Sequence, residues 1–349
     1  MKVLGFTAIA AAVLMTGCAQ KVQIKALAPA KVGEMASKKK VAIVDFKGDE
    51  KTKLSSKIEA QIAKHELDKK RYFTVLNRKD MDKVLKEQKL QASELTDEKS
   101  VVKVGKILGA QALINGDVTS SAESGHYVED KEKCLQYYKD SGECARYRYY
   151  KVQCKTLNAS VSATISIVDM EDAHVIYSDT LSKEYSGDSC KDGDKNFGLV
   201  VLDKDSVPIL GKQQAITRLT DQIANEFVYK LTPHYIYFQV TLLDEIEFDV
   251  SDQQAKMLEI ALENIKQGRL DKAEKILSKL STELEGKSYV VNYDLGVVKE
   301  ALGDFEAAKK LYKQADEAML EPIPEVNAAV IRIDKLISQR DEATRQMKK

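Results

Sequence analysis

Five cysteines are the residues whose type and spacing could do chemistry in this chain of 349 residues: Cys18, Cys134, Cys144, Cys154 and Cys190. A thiolate can attack a substrate, hold a metal or join a second thiol. The spacing argues against zinc, because there is no close Cys-x-x-Cys pair and His126 and His174 are not at ligand spacing. A catalytic thiol needs a paired histidine, and no Cys-His pairing is evident. The reading therefore expects no catalytic residue, no metal and no cofactor. Disulfides remain for Cys134, Cys144, Cys154 and Cys190, provided that the compartment is oxidising.

The compartment is read from Leu14-Met15-Thr16-Gly17-Cys18. Lys2 followed by the mostly apolar run Val3 to Met15 has the form of a charged region and a short apolar core, too short to span a bilayer. With the small Gly17 before Cys18, the segment resembles the lipobox of bacterial lipoproteins, in which the cysteine is acylated and becomes the new N-terminus. That implies a signal peptide over 1–17, lipid attachment at Cys18 and a membrane reached through the lipid. Ala19 is not the aspartate that retains many such proteins at the inner membrane, so the expected location is the outer membrane, with the folded part in the periplasm. No later apolar run reaches the roughly 18 residues of a membrane helix. Residues 18–40, polar and rich in lysine, read as a tether between lipid and domain.

Lysine plus arginine and aspartate plus glutamate each number 54, so the formal net charge is zero. That gives no global attraction to nucleic acid, and the compartment argues against it too. The absence of tryptophan speaks against an aromatic-rich carbohydrate-binding sandwich.

The elements that must position the cysteines begin at residue 41. Val41 to Phe46 reads as a buried strand, Leu54 to Leu67 as a helix with Ser55 or Ser56 as cap, and Tyr72 to Leu76 as a second strand. Asp80 to Gln88 and Asp97 to Leu108 carry helical stripes, with Gly109 as stop signal. Ala112 to Val118 is a third strand. Ala159 to Asp169 alternates, with Val161, Ala163, Ile165 and Ile167 on one face, and Val175 to Ser178 pairs with it across a turn. Gln214 to Leu231 is helical, Pro233 ends it, and Tyr235 to Leu243 is a final strand or an extended exit. Helices between strands imply an α/β (α+β) layer. Arg78 and Glu87 lie on separate elements and make no catalytic constellation.

The ordered set Val41-Ala42-Ile43-Val44-Asp45-Phe46, Phe73-Thr74-Val75-Leu76-Asn77-Arg78, Val84-Leu85-Lys86-Glu87-Gln88 and Gly105 to Gly116 resembles the CsgG-like family of curli assembly and transport components. The resemblance implies a CsgG-like sheet-plus-helices domain over 41–245. It also extends to LpoB-like activators of penicillin-binding proteins, so fold narrows function only to envelope assembly.

The family's channels form pores from hairpins inserted between these strands. Here the insertions are 119–157 and 183–212. The first carries charges such as Glu123, Asp130, Lys131, Glu132, Lys133, Arg146, Arg148 and Lys151, and each Lys or Arg on a lipid face costs ~2–4 kcal/mol at mid-bilayer. A solvated hairpin fits better, stapled by disulfides. Four cysteines allow three connectivities. The favoured one closes the hairpin tip with Cys134 and Cys144 and ties the insertions with Cys154 and Cys190. Tyr147, Arg148, Tyr149 and Tyr150 are of the types enriched at interface hot spots, although tyrosines stacked across strands for local stability explain them equally well.

From Asp252 the pattern becomes all-α. Gly268-Arg269-Leu270-Asp271-Lys272-Ala273 and Gly303-Asp304-Phe305-Glu306-Ala307-Ala308 recur 35 residues apart, close to the tetratricopeptide period. Repeats are expected over 252–320, followed by a capping helix and charged tail over 321–349. Tyr293, Phe305 and Tyr312 are candidate partner-binding residues on the repeats. The expected function is a non-enzymatic outer-membrane lipoprotein that scaffolds envelope assembly or secretion. Its partners are envelope proteins held by the repeats and the hairpin, and a homo-oligomer is compatible with that reading. The alternatives are an oligomeric curli-type channel and an LpoB-like synthase activator.

Overall fold

The computed structural model describes residues 20–76, 78–87, 98–191, 208–319 and 321–348. Cys18 and Gln88 lie outside the described residues. The elements run β1 Lys21–Ala28, a 3-10 turn Gly33–Ser37, β2 Lys40–Ile43, α1 Leu54–Lys64, β3 Glu66–Leu67, β4 Lys70–Arg71, β5 Thr74–Val75, α2 Arg78–Glu87 and α3 Glu98–Leu108. They continue with β6 Ala112–Tyr137, β7 Cys144–Asp169, β8 Val175–Asp188, α4 Lys212–Leu231, β9 His234–Thr241, α5 Asp252–Lys266, α6 Leu270–Glu283, α7 Tyr289–Ala301, α8 Phe305–Ala318 and α9 Pro324–Lys348. No described helix is long and apolar enough to cross a membrane. The chain divides into two compact units, one of residues 29–234 with 346–349 and one of residues 1–28 with 235–345.

The first of these units is built on a five-stranded sheet in the order β5-β2-β6-β7-β8. β2 runs parallel to β5 and β6, whereas β6, β7 and β8 are antiparallel. Helices α2 and α3 cover one face through Met81, Val101 and Val104, packed with Ala42, Val44, Leu113 and Val168. Helices α1 and α4 lie against each other, with α4 crossing β6, β7 and β8. This is the sheet-plus-helices class expected from the alternating pattern. One local expectation fails: α1 is capped from further upstream than Ser55 or Ser56. The Asp49 carboxylate accepts the backbone N–H groups of Leu54 (2.5 Å) and Ser55 (3.0 Å) and the Ser55 hydroxyl (2.6 Å). Left-handed Lys53 (φ 56°) folds the chain back so that an acid five residues away satisfies the open helix end.

The other unit pairs β1 with β9 beside the helices α5 to α8 and most of α9. Residues 21–28, expected to belong to a tether, are a strand instead. Val22, Ile24, Ala26 and Ala28 alternate into the core, while Lys21 and Lys25 face outward and give the segment its basic composition. Nor does β9 extend the larger sheet. The turns after α5 and α7 repeat one another. Gly268 (φ 73°) and Gly303 (φ 84°) take the left-handed position, and the next residue's N–H reaches back to Asn264 (2.8 Å) and Lys299 (2.9 Å). The expected charged tail is helical: α9 continues to Lys348, with Pro324 as its first residue.

Candidate functional site: a disulfide-stapled hairpin

β6 and β7 are each 26 residues long and pair from Ala112 opposite Asp169 to Tyr137 opposite Cys144. Near the helices one face of this ribbon is core: Ala159, Val161, Ala163, Ile165 and Ile167 are buried. The opposite face carries hydroxyls that pair across strands, Ser121 with Ser160 (2.9 Å), Ser162 with Ser182 (2.8 Å), Thr164 with Thr180 (2.9 Å) and Ser166 with Ser178 (2.9 Å). Such pairs support a solvated sheet face at roughly 0.2–1 kcal/mol each.

Beyond the core, no helix among the described residues covers the ribbon, and disulfides fasten it. Cys134 joins Cys144 beside the tip (Cα–Cα 5.7 Å), where Tyr138 N–H also donates to Glu143 O (2.8 Å). Cys154 joins Cys190 (Cα–Cα 5.6 Å) and straps the segment after β8 onto β7. This is the connectivity favoured from the sequence. Four hydrogen bonds reinforce the strap. Ser189 N–H donates to Lys155 O (2.9 Å), Lys155 N–H to Ser189 Oγ (2.8 Å), and the Tyr127 hydroxyl to both Asp188 carboxylate oxygens (3.0 Å). Desolvation, together with the neighbouring Asp188 and Glu129 carboxylates, pushes the Tyr127 hydroxyl up to about 12. Under the strap Cys154 and Val152 are buried, an apolar patch that two-stranded pairing alone does not provide.

Register sorts the expected contact residues onto two faces, because side chains alternate along a strand. Tyr147 and Tyr149 share one face and stack at 6.3 Å between ring centres, opposite Cys134 and Glu132. Both are exposed, Tyr149 at 72%. Arg148 and Tyr150 are on the other face, opposite Lys133 and Lys131, and Arg146 is in line with them. That second face gathers Lys131, Lys133, Arg146 and Arg148, with Glu129 4.0 Å from Lys131. In sequence Lys131 and Lys133 are charges of the insertion. Their K-x-K spacing and the R-x-R of Arg146 and Arg148 were visible signals, but only pairing shows that they share a side.

On the repeats the expectation is corrected. Tyr293, Phe305 and Tyr312 are core residues, each less than 5% exposed, and are not available to a partner. The rings of Tyr293 and Tyr312 pack at 5.8 Å, and Tyr293 donates its hydroxyl to Thr241 O (2.7 Å). Tyr312 donates to Glu300, a fully buried carboxylate that also takes Arg332 Nε (2.9 Å) and Nη2 (2.8 Å). Aromatic residues at helical spacing filled the space between helices, and their hydroxyls satisfy buried acceptors there.

A comparison with protein families matches residues 32–231, more than half of the chain, to the curli production assembly/transport component CsgG. No curated protein matches the chain.

Proposed function

The chain belongs to the CsgG family of curli production assembly/transport components, and on that premise we propose that it is a non-enzymatic, outer-membrane lipoprotein anchored at Cys18 that recruits envelope proteins through its stapled hairpin. The observation that supports this reading is the charge on both faces of the distal ribbon. A lipid-facing strand needs about ten residues whose outward side chains are apolar. One face carries His126, Asp130, Glu132, Lys151 and Lys155, and the other carries Glu129, Lys131, Lys133, Arg146 and Arg148. Neither offers a continuous apolar row, so the ribbon is a solvated arm. Its basic face with Tyr150 suits an acidic surface on a partner, and the stacked Tyr147 and Tyr149 supply apolar contact on the opposite side.

Crosslinking in native envelopes, comparing wild type with R146E/R148E, tests the reading. Neighbours captured by the wild-type arm are lost in the variant while the fold, followed by circular dichroism, is unchanged. Capture that is indifferent to the reversal sinks the recruiting arm. A ring-shaped oligomer that conducts in planar bilayers makes the chain a curli-type channel instead.

A further inference from the structure

Away from the hairpin, the 3-10 turn Gly33–Ser37 brings Glu34 to Asp169, Asp172 and His174 of the turn between β7 and β8. The Nε2 of His174 is 2.6 Å from Glu34 Oε1, and its Nδ1 is 2.6 Å from Asp172 Oδ1. Asp169, at the end of β7, is buried, and donor atoms of Glu34, Asp169 and His174 all lie within 4.8 Å of one another. The turn is firmly built. Glu171 N–H donates to Asp169 Oδ1 (2.7 Å), Asp169 N–H donates to His174 O (2.9 Å), and Ala173 takes a left-handed φ of 65°.

A neutral imidazole carries one N–H. Two carboxylates at 2.6 Å, one on each ring nitrogen, therefore need a second proton on the ring, or a divalent cation in its place once Glu34 has moved back from Nε2. Charge around the ring calls for the same thing. Glu34, Asp169 and Asp172 lie around it, and Lys38 is 2.5 Å from Asp169 and 3.6 Å from Glu171. Asp172 fixes the tautomer that a metal needs by accepting the Nδ1–H hydrogen bond, so that Nε2 gives up its proton when an ion binds. Donor atoms bound to one zinc ion at ~2.0–2.2 Å are separated by roughly 3–4 Å, so the Nε2–Glu34 pair opens from 2.6 Å while the rest of the set, within 4.8 Å, draws in.

We propose that His174 Nε2, Glu34 and Asp169 form a binding site for a divalent transition ion such as zinc, oriented by Asp172, with the ion taking the Asp169 oxygen now paired with Lys38. Three protein ligands leave a fourth position for water. The ion fastens the 3-10 turn to the β7–β8 turn. The neighbour of His174, Glu34, is 140 residues away in sequence.

The test is a titration of the full chain, both disulfides intact, with Zn²⁺ alone against a chromophoric chelator, with a thermal unfolding scan alongside. Wild type takes up a single equivalent and unfolds at higher temperature with zinc present. H174A and E34Q lose uptake and the thermal shift, and D172N binds about tenfold or more weakly. K38M, freed of the competing ammonium, binds more tightly, and H126A, which alters a histidine outside the site, binds as wild type does. Scans without zinc establish that each variant is folded. Absence of zinc uptake by wild type, or H174A and wild type binding alike, overturns the site and leaves a protonated His174 bridging two carboxylates. K38M binding more weakly than wild type overturns the exchange with Lys38.

Discussion

Replacing Cys154 and Cys190 together by alanine separates what the strap contributes as a covalent link from what it contributes as structure. The bridge spans a sequence separation of 36 residues. Loop-closure entropy for that span is worth about 4 kcal/mol in the unfolded chain. The folded strap does not depend on the bond alone, because Lys155 and Ser189 exchange two hydrogen bonds and Tyr127 holds Asp188. The native geometry therefore survives and the cost falls on the unfolded state. Against a typical total of about 5–15 kcal/mol this is a large fraction, and for a unit of this size it lowers the unfolding midpoint by roughly 10 °C. Calorimetry of the double variant reads the midpoint, and native-state hydrogen exchange reads the amides of Lys155 and Ser189. The reasoning predicts a lowered midpoint with both amides still protected. An unchanged midpoint refutes the entropic account, and loss of protection refutes the claim that hydrogen bonds hold the strap. The tip bridge closes a separation of only 10 residues between half-exposed cysteines, so C134A/C144A costs less, below about 3 kcal/mol.

Two further outcomes follow from the helical unit. E300Q leaves the Arg332 guanidinium without its buried carboxylate and costs about 3–5 kcal/mol by denaturant unfolding, whereas E300M/R332L/Y312F, which removes both charges and the Tyr312 hydroxyl that Glu300 accepts, stays close to wild type; equal losses in the two would contradict the pairing argument. Burial raises the Asp294 carboxyl well above its ordinary range, and its Oδ1 accepts Leu243 N–H at 3.0 Å. A raised folded pKa means that the folded state binds the proton more tightly than the unfolded one. Asp294 therefore makes stability fall as pH rises from about 3.9 through the folded value. D294N retains the acceptor and removes that slope, giving a flatter stability profile in unfolding measured from pH 4 to 8; a profile unchanged from wild type would count against the buried acid.

Continuous apolar runs and helical stripes were legible. β2 announced itself in Val41 to Val44, α4 in Ile216, Leu219, Ile223 and Phe227, and the paired helices in the recurrence of Gly268 and Gly303. β1 escapes a sequence reading because half of its core face is the small Ala26 and Ala28, while Lys21 and Lys25 on the other face belong to a run of lysines that continues to Lys40. Tyr293, Phe305 and Tyr312 were misassigned because aromatic type does not distinguish a groove from a core; Gly296 does, since a Cβ there would meet the Tyr312 ring at 2.6 Å. The basic face and the Glu34–His174 contact were beyond reach for a different reason. Both depend on which residues pair across space, and composition carries no register.

The hairpin itself argues for an arm more than for a barrel stave. Strands that close into a barrel take their order from neighbours on both sides, and that pairing needs no covalent help. Here β7 loses its β8 neighbour beyond Thr156, opposite Asp188, and β6 and β7 run about a further 13 residues each to the tip, a reach on the order of 40 Å at the rise of a β-strand. A two-stranded ribbon of that length is marginal in water. Each device found along it compensates for a missing layer: hydroxyl pairs near the base, then the Cys154–Cys190 strap over Val152, then the Cys134–Cys144 clasp beside the tip. These devices keep the ribbon ordered while both of its distal faces stay charged. A segment stiffened in isolation and left polar on both sides is what the proposed recruiting arm requires, which is why reversing Arg146 and Arg148 is a sharper test of that proposal than any change in the core.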